Sequence, residues 1–129
     1  MTNDKKEIEN LLKSYRENKS EAELITVMGI DYSSVKIQTS NITTLDNIVL
    51  KLEKLKKNVA IIDSLIKCLN AKEKFIIESF YKEGRRLMWI GASIGIDTEN
   101  GVAMAKKEAI KKMDSIYNRN RKYFEAMGD

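Results

Sequence analysis

WIGASIGID, Trp89 to Asp97, sets Trp89, Ile90, Ile94 and Ile96 around two glycines, Gly91 and Gly95, and ends in an acid. Inside an amphipathic helix each Gly costs roughly 1 kcal/mol relative to Ala. Two glycines so close together need a structural reason. One is a site where two helices cross so closely that no side chain fits between them, which places Gly91. The other is a helix end, where the backbone turns left-handed and Gly adopts that conformation cheaply, which places Gly95. Ile90, Ile94 and Ile96 then plug a small core, and Asp97 or Thr98 caps the helix that follows.

The flanks agree. Upstream, Asn70 has Glu73 three residues on, the pattern of a reciprocal N-terminal cap. Phe75, Ile76, Ser79 and Phe80 give the helix from Ala71 an apolar face, and Gly84 closes it. Downstream, Val102, Ala105, Ala109, Met113 and Ile116 form one inward stripe. The spacing predicts three helices in close succession, over about 71–82, 86–94 and 98–118, with room for the last to run on to about 125. Three short helices with Gly-marked turns, the last one basic, make the pattern of a helix-turn-helix unit.

The run from Leu69 to Met113 resembles the DNA-binding region four of sigma-70-type factors. Leu69, Glu73, Ile76, Tyr81, Gly84, Ile90, Ile94, Gly95, Ile96, Val102, Ala109, Ile110 and Met113 match that family's outline, over about 50 of the 129 residues. Gly91 stands where the family usually carries Ala. An N-terminal helix, a Ser/Thr-rich segment and a long heptad helix precede this unit, a layout similar to ArpU/RinA-type phage late-gene activators. The resemblance implies a phage-encoded activator of late or packaging genes, working in a bacterial cytoplasm and engaging RNA polymerase.

The N-terminal part carries the clearest periodicity. Leu45, Ile48, Leu52, Leu55, Val59, Ile62, Ile66 and Leu69 recur at alternating intervals of three and four, an unbroken heptad stripe. Such a narrow seam must be covered, either by an antiparallel helix of the same chain or by the same helix of a second copy in a homodimer. Asp4 to Asn18 predicts an amphipathic helix. Ser20 to Met28 predicts a short one, capped by Ser20 with Glu23 and ended by Gly29. Ile30 to Thr44, rich in Ser, Thr and Asn, reads as an extended loop, long for a compact domain. The fold expected is all-α. Residues 1–69 form a helical hairpin or coiled-coil region with its loop at 30–44, and residues 70–129 a three-helix helix-turn-helix region.

Composition bounds the chemistry. The 129 residues hold no Pro, so nothing interrupts long helices. There is no His, and Cys68 is the single cysteine, expected to be buried and inert. No phosphate-binding glycine loop, nucleophile elbow or metal-ligand spacing occurs, so neither an enzyme nor a cofactor is expected. The N-terminus is polar, with no signal-peptide pattern, and no window is apolar enough for a membrane span. Net charge is only +4, from 23 basic and 19 acidic residues. Within residues 104–122, however, Lys106, Lys107, Lys111, Lys112, Arg119, Arg121 and Lys122 face only Glu108 and Asp114.

These features point to double-stranded DNA. The first turns of a recognition helix reach base edges and later residues meet the backbone. Asn100 suits adenine, Ala103 and Met104 suit a thymine methyl, and Thr98 stands at the helix start. Lys106, Lys107 and Lys111 suit phosphates, as do Arg85 and Arg86 from the start of the second helix. Glu99 lies close by, where a negative charge costs affinity unless it accepts from a cytosine amino group. Two rival readings remain. One is a small-terminase-like DNA-packaging protein, which assembles as a ring. The other is a helical interaction module that has lost DNA binding.

Overall fold

A computed structural model of the chain describes residues 3–35 and 42–126, and the side chains of 7–27 and 47–126. Every regular element among them is a helix, as expected. In order they are α1 (Asn3–Lys13), α2 (Tyr15–Val35), α3 (Ile42–Ile66), α4 (Ala71–Ile77), α5 (Leu87–Ile94), α6 (Glu99–Arg119) and α7 (Arg121–Ala126). A π-helical turn, Glu78–Lys82, continues α4.

The heptad seam is covered within the chain where its side chains are described; that of Leu45 lies outside the described residues. Leu55, Ile62, Ile66 and Leu69 are buried, and Ile48, Leu52 and Val59 partly so. α2 runs antiparallel to α3: Glu21 pairs with Lys51 at 2.7 Å, while the earlier Tyr15 donates its hydroxyl to Asp63, later in the sequence, at 2.8 Å. α1 packs against α3 and α6.

Three boundaries differ from those the sequence predicts. α2 begins at Tyr15, so Ser20 lies inside a helix and caps nothing. It also runs through Gly29 to Val35, and α3 starts at Ile42. Most of the expected 30–44 loop is therefore helical, and residues 36–41 lie outside the described residues. Ser, Thr, Asn and Val each lose only a few tenths of a kcal/mol in a helix, and one Gly about 1 kcal/mol. Without Pro, such residues weaken a helix but do not stop it. Finally, the helix expected through Asn18 divides at Ser14, whose Oγ donates to the Asn10 carbonyl at 2.8 Å. The Ser14 amide bonds the same carbonyl at 3.0 Å, so two donors share one acceptor where α1 gives way to α2.

Two clusters hold the molecule together. The larger joins Ile8, Leu12 and Tyr15 with Ile61, Ile62, Leu65, Ile66 and Leu69, and with Ile77, Tyr81, Ala109, Met113, Tyr117 and Phe124. It draws on the N-terminal helices and on the C-terminal ones alike. The smaller is built on Ile76, Ile90 and Val102, walled by Phe75, Phe80, Leu87, Ile94, Ile96 and Ala105. A polar tie runs between the halves. Lys82 Nζ donates to Asp63 at 2.8 Å and lies 4.9 Å from the Tyr15 ring centroid. Burial alone would lower the Lys82 pKa, but hydrogen bonds and charges from Asp63 and Tyr15 outweigh it and raise it.

The three C-terminal helices show the local chemistry the sequence predicts. Asn70 accepts from the Glu73 amide at 2.8 Å, and Glu73 accepts from the Asn70 amide at 3.0 Å, a complete capping box. A Cβ on Gly91 would sit 2.6 Å from Val102 Cγ2 and 2.7 Å from the Ile96 carbonyl oxygen, so only Gly fits there. Gly95 has φ 82°, and its N–H and that of Ile96 both return to the Gly91 carbonyl. Thr98, not Asp97, caps α6, accepting from the Gly101 amide at 3.0 Å. The π turn was not foreseen. Its wider spacing, with Glu83 N–H bonded to the Glu78 carbonyl, brings Tyr81 into the large core beside Ile77 and leaves Phe80 between the two clusters. Cys68 also departs from expectation and is exposed, because Leu65, Ile66 and Leu69 occupy the inward positions around it.

Candidate nucleic-acid interface

α6 is held on one side and open on the other. Val102, Ala109, Met113 and Tyr117 are buried, and Ala105 and Ile116 partly so. On the opposite side Asn100, Met104, Lys107 and Lys111 share one exposed face, a placement that follows from 3.6 residues per turn. Lys107 makes no ion pair among the described residues. Lys111 approaches Glu108 at 3.8 Å, both side chains more than half exposed, an arrangement of little energetic weight. Lys112 points elsewhere, to Glu73 at 3.2 Å, tying α6 to the start of α4.

Two of the expected contact residues are otherwise engaged. Thr98 Oγ1 is used in the α6 cap. Lys106 folds back, its Nζ 4.2 Å from the Phe80 ring centroid, 5.3 Å from that of Tyr81 and 3.4 Å from the Tyr81 hydroxyl. Burial lowers its pKa, Glu9 opposes that shift and Lys13 adds to it. Lys106 is thus a wall of the interior more than an arm into solvent. The turn of the helix puts it about 100° from Lys107, and its aliphatic stem covers the aromatic pair.

α1 flanks this face, which the sequence did not signal. A groove of ≈ 340 Å³ between α1 and α6 is lined by Glu9, Ala103, Lys106, Lys107, Ile110, Lys111 and Asp114. Ala103 is accordingly half-buried at its floor. Further along, Glu7 accepts from the Tyr117 hydroxyl at 3.0 Å and lies 3.7 Å from Arg121. The basic run past residue 118 is therefore divided. Arg121 covers the Tyr117 ring at 5.0 Å, Tyr117 and Phe124 pack inward, and Arg119, Lys122 and Tyr123 face solvent.

The second flank is the entry to α5. Arg85 and Arg86 are both exposed. The Arg85 guanidinium lies 4.6 Å from the Trp89 ring centroid, with Nε 3.5 Å from Glu83. Trp89 stacks on Phe75 at 6.2 Å and stays 45% exposed, a rim position. Met88 and Met104 are more open still, at 66% and 65%. One cation at this corner was missed: Arg16 of α2, whose guanidinium lies against the Gly84 turn. Nothing in an amphipathic helix distinguishes that Arg from its solvated neighbours.

Among the described residues no group of three or more His, Cys, Asp or Glu could hold a metal ion, and no helix is long and apolar enough to cross a membrane. In comparisons with family models, with curated proteins and with solved structures, none matches this chain.

Proposed function

We propose that the protein is a sequence-specific regulator of transcription that binds double-stranded DNA through a helix-turn-helix formed by α4, α5 and α6. The observation that carries this reading is the outward face of α6. Asn100, Met104, Lys107 and Lys111 project from a helix whose other side is locked into both cores. An amide, an apolar tip and two long cations are the set that reads bases at one end and grips phosphates further along. Arg85 and Arg86 stand where they would hold the backbone from the α5 side. The resemblance of residues 69–113 to sigma region four supports action at a promoter. The whole-chain layout supports activation of phage late or packaging genes, with the α2–α3 hairpin as the part that meets RNA polymerase or a second copy. No catalytic role is assigned to any residue.

The test is a selection of bound fragments from sheared DNA of the source genome, repeated with Lys107→Ala/Lys111→Ala. A sharp peak upstream of a gene block, lost in the variant, is the expected result. Absence of any enrichment by the wild-type protein would overturn the reading.

A second reading has a specific observation behind it. Met88, Trp89 and Met104 expose large apolar surfaces, residue types enriched where proteins meet. Asp97 and Glu99 are exposed at the start of α6, where negative charge disfavours a polyanion. This reading predicts negligible DNA affinity even at low salt. The small-terminase alternative predicts a ring of many subunits, which light scattering after size exclusion distinguishes from a monomer or dimer.

A further inference from the structure

We propose that Arg16, Arg85 and Arg86 form one phosphate-binding corner, so that α2 of the N-terminal hairpin is itself part of the DNA-binding surface. This rests on the DNA-binding reading above and adds to it a contact from outside the three-helix unit.

Arg16 is separated from Arg85 and Arg86 by most of the chain, yet the fold brings it to their turn. A Cβ placed on Gly84 would lie 2.6 Å from Arg16 Nη1 and 3.6 Å from its Cζ. The guanidinium therefore rests on the bare backbone of the residue that precedes Arg85. Gly84, at φ 71°, gives both the turn and the room. Arg16 is exposed and makes no ion pair among the described residues. Arg86 is likewise exposed and without an ion pair among them, and Arg85 is held by Trp89. Among the described residues the carboxylate bonded at this corner is Glu83, 3.5 Å from Arg85 Nε, with both side chains about half exposed. A phosphate displaces so weak a pair readily.

The backbone adds to the same corner. Arg86 is the N-cap residue of α5 and makes no side-chain cap, so its own side chain does not take up the leading amides of the eight-residue α5. Three forked cations from two elements, one resting on glycine and one on an indole, suit a phosphate diester better than three mobile lysines would, because less side-chain freedom is lost on binding. Since phosphate contacts carry no sequence information, the corner would set register and orientation while the α6 face reads bases.

The experiment uses the full chain and a labelled mixed-sequence duplex, titrated by fluorescence anisotropy over a series of salt concentrations. Phosphate contacts are sequence-independent and fix the slope of log affinity against log salt, at about −0.9 per neutralised phosphate. Arg16→Ala should reduce that slope by about one contact and weaken binding equally on selected and unselected sequences. Arg16→Lys should restore most of the slope, and thermal melts should show both variants folded. Met104→Ala should do the opposite, changing sequence preference and leaving the slope alone. If the wild-type protein binds and Arg16→Ala binds with the same affinity and slope, the corner is disproved while the DNA-binding reading stands. If the wild-type protein does not bind at low salt, both fail.

Discussion

Gly91 and its neighbours carry the sharpest constraint on any single side chain. The atoms a methyl group would strike there are Val102 Cγ2 and the Ile96 carbonyl oxygen. The first can rotate, but the second belongs to the backbone of the turn. Gly91→Ala should therefore cost about 1–3 kcal/mol, the range of overpacked cores. A thermal melt that left Tm unchanged would show that α5 and α6 are free to separate. A second residue-scale effect is alkaline. Burial, followed by the charge of Glu9, raises the Tyr81 pKa to about 12, and burial first, then Asp63 or Glu7, raises those of Tyr15 and Tyr117. The folded chain keeps these phenolic protons above pH 10 while the unfolded chain loses them, so stability falls as pH rises from about 10 to 12. Lys82 acts in the same direction. Its raised pKa is a stabilisation present below its ordinary value and lost as pH climbs through the folded one. Urea melts at successive pH values should show this decline, with Tyr81→Phe reducing it. A flat profile to pH 12 would contradict the burial of these rings.

For the helices as units, what was legible in the sequence depended on whether a residue's neighbours were local. The capping box at Asn70 and Glu73, the left-handed end at Gly95 and the seam from Ile48 to Ile66 all rest on spacings within or at the end of one helix, and all are readable. Asn70→Ala should accordingly lower stability by about 1 kcal/mol, seen as a shift in urea midpoint with unchanged slope. Ser20 has a cap's spacing to Glu23 yet caps nothing, because Ser followed by Glu three residues on is a cap only where no helix already runs through it. Phe80 and Tyr81 exchanged emphasis because a π turn shifts the register by one residue, and ordinary helical spacing carries no sign of it. The surroundings of Lys106 and Arg16 are not legible for a different reason. Each is defined by residues remote in sequence, Phe80 and Tyr81 in one case and Gly84 in the other.

Among the described residues the N-terminal and C-terminal parts share one core. Ile8, Leu12, Leu65, Ile77, Met113 and Phe124 belong to one cluster, so loss of α1 or α3 would unseat α6 as well. Unfolding should therefore be a single cooperative transition. Trp89, which reports from α5, and the far-ultraviolet helical signal, which reports from every helix, should give coincident curves in urea. Two separate midpoints would show that the α2–α3 hairpin and the α4–α6 unit melt independently. The same continuity gives α1 a bearing on DNA. It lies along α6 with Glu9 beside the Lys107 flank, so under the proposed function it would limit how far along α6 a duplex settles.

The exposed sulfur at the end of α3 has a practical side. Cys68 is the sole thiol of the chain, it faces solvent, and its described hydrogen bond is a weak one to the Ser64 carbonyl at 3.7 Å. A maleimide dye or nitroxide would attach there at one stoichiometric position, outside both packed clusters, giving a distance ruler from the hairpin to a duplex. Without a reducing agent the same atom would join two chains covalently. A dimer that disappears on adding dithiothreitol is thus the product of oxidation, and one that persists is held by the folded surfaces themselves.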